Sequence, residues 1–148
     1  MASLTRILLV EDSQQDAEMM LAALNEHNLA SGVAVTRDGI EALDYLHCRG
    51  KFAERHHELP AVVFLDLKMP RMNGLEVLAS IKSDSALKTI PVVMLTSSRE
   101  ELDLIKSYEL GVNAYVVKPV DFKQFMDSIK SLGFFWAIVN EKPPRVEG

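Results

Sequence analysis

Short apolar runs alternate along the chain with longer segments of helical spacing. The runs at 6–10 (RILLV), 33–36 (VAVT), 61–65 (AVVFL), 91–95 (PVVML) and 114–117 (AYVV) have the length and β-branched content of strands. Pro91 opens its run, where no ladder donor is lost. Helices are predicted at 13–28, 38–47, 74–82, 99–110 and 121–139. In the first, Ala17, Met20, Leu21 and Leu24 form one apolar face, and Ser13 with Asp16 has capping-box spacing. Gly111 stops the fourth. Strand and helix in regular alternation predict an α/β fold, a doubly wound five-stranded parallel sheet with helices on both faces.

Two stretches depart from this rhythm. Residues 48–60 (CRGKFAERHHELP) exceed a usual helix–strand connection and are expected to extend the second helix. In the fifth helix Phe122, Phe125, Met126, Ile129, Leu132 and Trp136 share the face that packs on the sheet. Phe134, Phe135 and Ile138 fall on the opposite side, which predicts a homodimer contact or a surface for another protein. The expected organisation is one domain over 1–140 and a charged, proline-bearing tail over 141–148, with no output domain.

At 148 residues, 48% hydrophobic and 25% charged, the composition is that of a globular domain able to bury a full core. The net charge is −5 with no basic block, which argues against nucleic-acid binding. The single cysteine, Cys48, excludes an internal disulfide and is expected to pack as a small apolar residue. No stretch has the length of a membrane span and the N-terminus lacks a signal-peptide layout, so the expected location is the cytoplasm, with no membrane partner.

Chemistry concentrates where the apolar runs end. The first run is followed by Glu11 and Asp12, the third by Asp66, the fourth by Thr96 and Ser97, and the fifth by Lys118. Doubly wound sheets bind ligands outside the carboxyl ends of their strands, at the switch point in strand order. In the order 2-1-3-4-5 the first and third strands are neighbours there, which brings Glu11, Asp12 and Asp66 together. Three adjacent carboxylates need compensating positive charge, and hard oxygen ligands favour Mg²⁺. Metal plus Lys118 is the charge arrangement that phosphoryl transfer requires. Asp66 is then a candidate nucleophile, and Thr96 a hydrogen-bond donor to a phosphoryl oxygen.

These motifs, LLVEDS, FLDLKMPRMNG, PVVMLTS and AYVVKPV, resemble the response-regulator receiver domains of two-component signalling, from about Arg6 to the end of the fifth helix. The resemblance implies the flavodoxin-like order 2-1-3-4-5, with Asp66 as phosphoacceptor and Glu11 and Asp12 as the Mg²⁺-holding pair. It implies that Lys68 lends its backbone carbonyl to the metal. Thr96 and Lys118 would contact the phosphoryl group, and Tyr115 would be the aromatic that turns inward when Thr96 moves. Pro119 would follow a cis bond, and Ser98 would influence dephosphorylation. Glu11 departs from the more common aspartate, and Lys68 from a smaller or neutral side chain. The 48–60 insertion, KSYELGVNAYVVKPVDFKQF and the aromatic end FFWAIVNEKPP resemble the stand-alone receivers paired with bacterial phytochrome histidine kinases. That implies a histidine kinase partner of the bacteriophytochrome kind, and a homodimer through the fourth helix, fifth strand and fifth helix.

The main reading is a phosphorylation-switched binding module rather than an enzyme with an external substrate. A phosphorelay shuttle would share its chemistry. A Mg²⁺-dependent phosphohydrolase with an Asp nucleophile wants a further acid nearby, but Lys68 occupies the second position after Asp66. A flavin carrier needs a phosphate-cradling loop after the first strand, and EDSQQD there is acidic. His56 and His57 read as part of a solvated loop, and His27 and His47 as favourable charges at helix ends.

Overall fold

Each predicted run becomes a strand: β1 (Ile7–Val10), β2 (Val33–Thr36), β3 (Val62–Asp66), β4 (Val92–Thr96) and β5 (Ala114–Val117). The computed structural model describes residues 6–26, 32–55, 58–107, 111–112, 114–118 and 121–131. Pairing is parallel throughout, in the order β2-β1-β3-β4-β5, so the predicted doubly wound sheet is the fold. The helices are α1 (Gln14–Asn25), α2 (Gly39–His47), α3 (Gly74–Ser83), α4 (Arg99–Ser107) and α5 (Phe122–Ser131). Leu132, Trp136, Phe134, Phe135 and Ile138 lie outside the described residues, as do Pro119, His27, His56, His57 and the 141–148 tail.

Side-chain alternation along the strands divides the core in two. Leu8, Val10, Val63, Leu65, Val92 and Met94 face a layer that includes Tyr45 and Leu46 of α2, Val77, Leu78 and Ile81 of α3, and Ile105 of α4. Ile7, Leu9, Val62, Phe64, Val93, Leu95 and Val116 face Ala17, Met20 and Leu24 of α1 and Phe125 of α5. Phe64 and Phe125 stack with centroids 5.3 Å apart. Each such fully buried side chain contributes roughly 1.5–3 kcal/mol of transfer free energy. Burial on both faces is why β1, β3 and β4 read as continuous apolar runs.

The helix starts are fixed by side-chain caps. Ser13 Oγ accepts from the Asp16 N–H at 3.2 Å, Asp38 Oδ1 from the Glu41 N–H at 2.8 Å, and Asn73 and Glu76 form a complete capping box. The box expected at Ser13 and Asp16 is only half made. Glu11 Oε2 accepts from the Ser13 N–H at 3.2 Å instead, and the Asp16 carboxylate turns elsewhere.

The described residues of 48–60 do not extend α2. Cys48 adopts left-handed backbone angles (φ 53°, ψ 49°) and closes the helix, with its N–H donating to Tyr45 O at 3.2 Å. Cys48 is half-buried at this turn. A 3₁₀ turn follows at Gly50–Phe52. Arg55 lies 4.0 Å from the Tyr45 ring centroid and donates to Tyr45 O and Glu58 O, each at 3.0 Å, so the insertion folds back on α2. His47 ends α2 with Nε2 3.3 Å from Asp84 Oδ2. Among the described residues no helix is long and apolar enough to cross a membrane.

Candidate functional site at the strand ends

Parallel register brings the strand ends to one level. Val10 pairs with Leu65, Asp66 with Leu95, and Thr96 with Val117. Residues at or just after these ends therefore share a rim, as predicted. Glu11, Asp12 and Asp66 offer carboxylate oxygens all within 4.8 Å of one another. Glu11 and Asp66 are buried and Asp12 is exposed. Lys118 reaches into the same place, with Nζ 2.7 Å from Glu11 Oε1 and 3.1 Å from Asp66 Oδ1.

The charges of this site are strongly perturbed. Burial pushes the Asp66 carboxyl up, the Glu11 charge pushes it further, and Lys118 only partly offsets both, leaving its pKa at about 7. Burial would lower the Lys118 pKa. Hydrogen bonds to Glu11 and Asp16 and the charges of Asp66 and Glu11 outweigh it, so the ammonium is held above its ordinary range. Without added positive charge, burial and the Glu11 carboxylate disfavour ionisation of Asp66. A hard divalent cation is the group this donor set fits, with oxygen ligands only, excess negative charge and one solvent-facing member.

Thr96 is fully buried, and its Oγ1 has no hydrogen-bond partner among the described residues. The backbone ties it to the site, since the Lys118 N–H donates to Thr96 O at 2.8 Å. Tyr115 pairs with Met94, two residues before Thr96, and so stands on the same face of the sheet. It is half-buried, with Lys106 Nζ of α4 5.6 Å from its ring centroid. Lys68 is exposed on the β3–α3 loop. That loop closes tightly. The Gly74 N–H donates to Leu67 O at 2.7 Å, and a Cβ at Gly74 would collide with the Asp66 carbonyl oxygen. Ser98 Oγ accepts from the Glu101 N–H at 3.2 Å and caps the start of α4.

Two participants were not foreseen. Asp16 in the first turn of α1 places Oδ2 3.0 Å from Lys118 Nζ. Asp38, after β2, takes two hydrogen bonds from Arg71 on the β3–α3 loop, 3.0 Å from Nε and 2.5 Å from Nη2. Burial would raise the Asp38 pKa, but the Glu41 N–H and Arg71 hold it below the usual carboxylate value. Arg71 itself has φ 63°, a strained angle for a non-glycine residue. The pair ties the β2–α2 connection to the loop that follows Asp66.

The chain matches the family model of the response regulator receiver domain over residues 7–130. Response regulator Rcp1 of Synechocystis sp. is 38% identical over 130 residues, spanning 88% of this chain and 87% of that protein. The structure of its Mn²⁺-bound form is 37% identical, with a TM-score of 0.70 over 94% of this chain and 98% of that one. The bacteriophytochrome response regulator RtBRR is 58% identical, with a TM-score of 0.85 over 96% of this chain and 86% of that one. The phosphorylated cyanobacterial phytochrome response regulator RcpA is 40% identical, with a TM-score of 0.71 over 90% and 94%.

Proposed function

Since the chain belongs to the response regulator receiver family, we propose that it accepts a phosphoryl group on Asp66 from a histidine kinase and that this switches a protein-binding surface. The observation that carries the proposal is the setting of Asp66. It is a buried carboxylate 3.1 Å from Lys118 Nζ and grouped with Glu11 and Asp12. In the transfer an ionised Asp66 oxygen attacks phosphorus, the P–N bond to the kinase imidazole breaks, and the electron pair leaves with the ring nitrogen. Lys118 holds its ammonium against the phosphoryl oxygens. Thr96 turns its free hydroxyl toward the same group, and Tyr115 follows into the space Thr96 leaves. Glu11, Asp12, Asp66 and the Lys68 carbonyl would hold Mg²⁺, which supplies charge neutralisation for the phosphoryl oxygens.

Likeness to RtBRR, Rcp1 and RcpA supports a phytochrome-type histidine kinase as the partner and a light-linked signal. The chain acts in the cytoplasm as a signalling protein, without turnover of an external substrate. Residues 1–140 form the receiver and 141–148 a tail. A homodimer forms through α4, β5 and α5, a reading supported by exposed Leu104 and Val117 on that face (45% and 47% accessible).

The test is intact mass after incubation with acetyl phosphate and Mg²⁺, beside the Asp66→Asn variant. One added phosphoryl group on the wild type alone is expected. Equal addition to Asp66→Asn would overturn the assignment.

A further inference from the structure

Among the described residues Lys118 has three carboxylate partners, and one of them stands apart. Glu11 and Asp66 belong to the oxygen cluster that could hold a cation, whereas Asp16 is not in that cluster. Asp16 Oδ2 nevertheless lies 3.0 Å from Nζ, between Glu11 at 2.7 Å and Asp66 at 3.1 Å. Its backbone is placed by Ser13, whose Oγ holds the Asp16 N–H at the start of α1 and whose own N–H donates to Glu11 Oε2. The ammonium, Asp16 and Glu11 share a pocket with Leu9, Met19, Met20 and Leu95. Apolar walls of this kind lower the local dielectric and strengthen the pair.

We propose that Asp16 is a positioning residue that holds the Lys118 ammonium from the α1 side and sets how that charge is divided between the metal ligands and the phosphoryl group. The inference rests on the function proposed above. A cation at the trio competes with Lys118 for Glu11 and Asp66, and Asp16 gives the displaced ammonium a counter-ion. A phosphoryl group on Asp66 competes with Asp16 for the same ammonium. Asp16 therefore favours the cation and opposes the anion. Removing its charge makes the site more positive by one unit and leaves Lys118 nearer the trio, so the two ligands must respond with opposite signs.

The experiment is calorimetric titration of wild type, Asp16→Asn and Asp16→Glu with Mg²⁺ alone, and then with beryllofluoride, a phosphoryl mimic, at saturating Mg²⁺. Asp16→Asn is expected to weaken Mg²⁺ and tighten beryllofluoride, each by roughly three- to tenfold, the effect of one partly screened charge at several ångströms. Asp16→Glu is expected to return both toward wild type. A variant damaged only in structure would lose affinity for both ligands, and that result overturns the inference. So does an Asp16→Asn variant that binds both as the wild type does, which would leave the proposed function standing. A wild type that binds neither ligand would overturn the proposed function and the inference with it.

Discussion

Asp66 should destabilise the metal-free protein, and replacing it with asparagine should reveal by how much. The native carboxyl releases its proton near pH 7, while the unfolded chain releases it near the ordinary value of 3.8. Between these values the native state binds more protons than the unfolded state, so stability falls as pH rises from about 4 to about 7. Each pKa unit is worth 1.36 kcal/mol, and 7 − 3.8 is about 3 units, so the full cost above pH 8 is about 4 kcal/mol. Some 2 kcal/mol of it is incurred between about pH 5.5 and pH 8. The Asp66→Asn change keeps the shape of the side chain and removes its ability to ionise.

The assay is urea unfolding in chelator at both pH values. At pH 8 Asp66→Asn is expected to be more stable by about 2–4 kcal/mol, a midpoint shift of roughly 1–2 M urea. At pH 5.5 the gain should shrink by about half. Mg²⁺ should then stabilise the wild type by about 2.7 kcal/mol at a hundredfold excess over its dissociation constant, and the variant by less. An equal or lower midpoint for Asp66→Asn at pH 8 would refute the reasoning. It would mean that the Lys118 contact outweighs the burial of the charge.

Two further variants probe the neighbours of Asp66. Thr96→Val removes a buried hydroxyl without a partner, so it should stabilise the resting protein by about 1 kcal/mol in urea unfolding while weakening beryllofluoride binding in calorimetry. Gly74→Ala would drive a Cβ into the Asp66 carbonyl oxygen and to 2.9 Å from Leu67 Cα, backbone atoms that cannot turn aside. It should cost about 3 kcal/mol in the same unfolding assay and lower Mg²⁺ affinity through the displaced loop.

The strands and the rim were legible because burial and register are both written locally. A parallel strand covered on two faces is an apolar run, and in-register strands end together, so the residue after each run is a rim residue. Asp38 escaped this rule because Arg37 is the residue that follows the VAVT run and Asp38 comes one later. Its partner Arg71 is 33 positions away, and no local pattern joins them. Asp16 shows the opposite failure. Its spacing from Ser13 has a sufficient local explanation as a cap, yet its carboxylate serves Lys118, 102 positions along the chain. The end of α2 was not legible because cysteine carries no signal for the left-handed turn that closes it at Cys48.

The proposed switch depends on one pair of strands, β4 and β5, bordering both the rim and the α4 face. Thr96 ends β4 and Lys118 follows β5, joined by the hydrogen bond from the Lys118 N–H to Thr96 O. Two positions back along the same ladder, Met94 faces Tyr115, whose ring meets Lys106 on α4. A phosphoryl group that draws the Thr96 hydroxyl toward Asp66 therefore acts on a residue whose neighbour along the sheet borders the α4 face. Thr96 has no competing hydrogen bond to break at its hydroxyl, so its movement costs only packing. Tyr115 starts half-buried and can gain contacts by moving inward. In the proposed switch the anion supplies the driving contact for Thr96, and the half-buried start of Tyr115 leaves it contacts to gain.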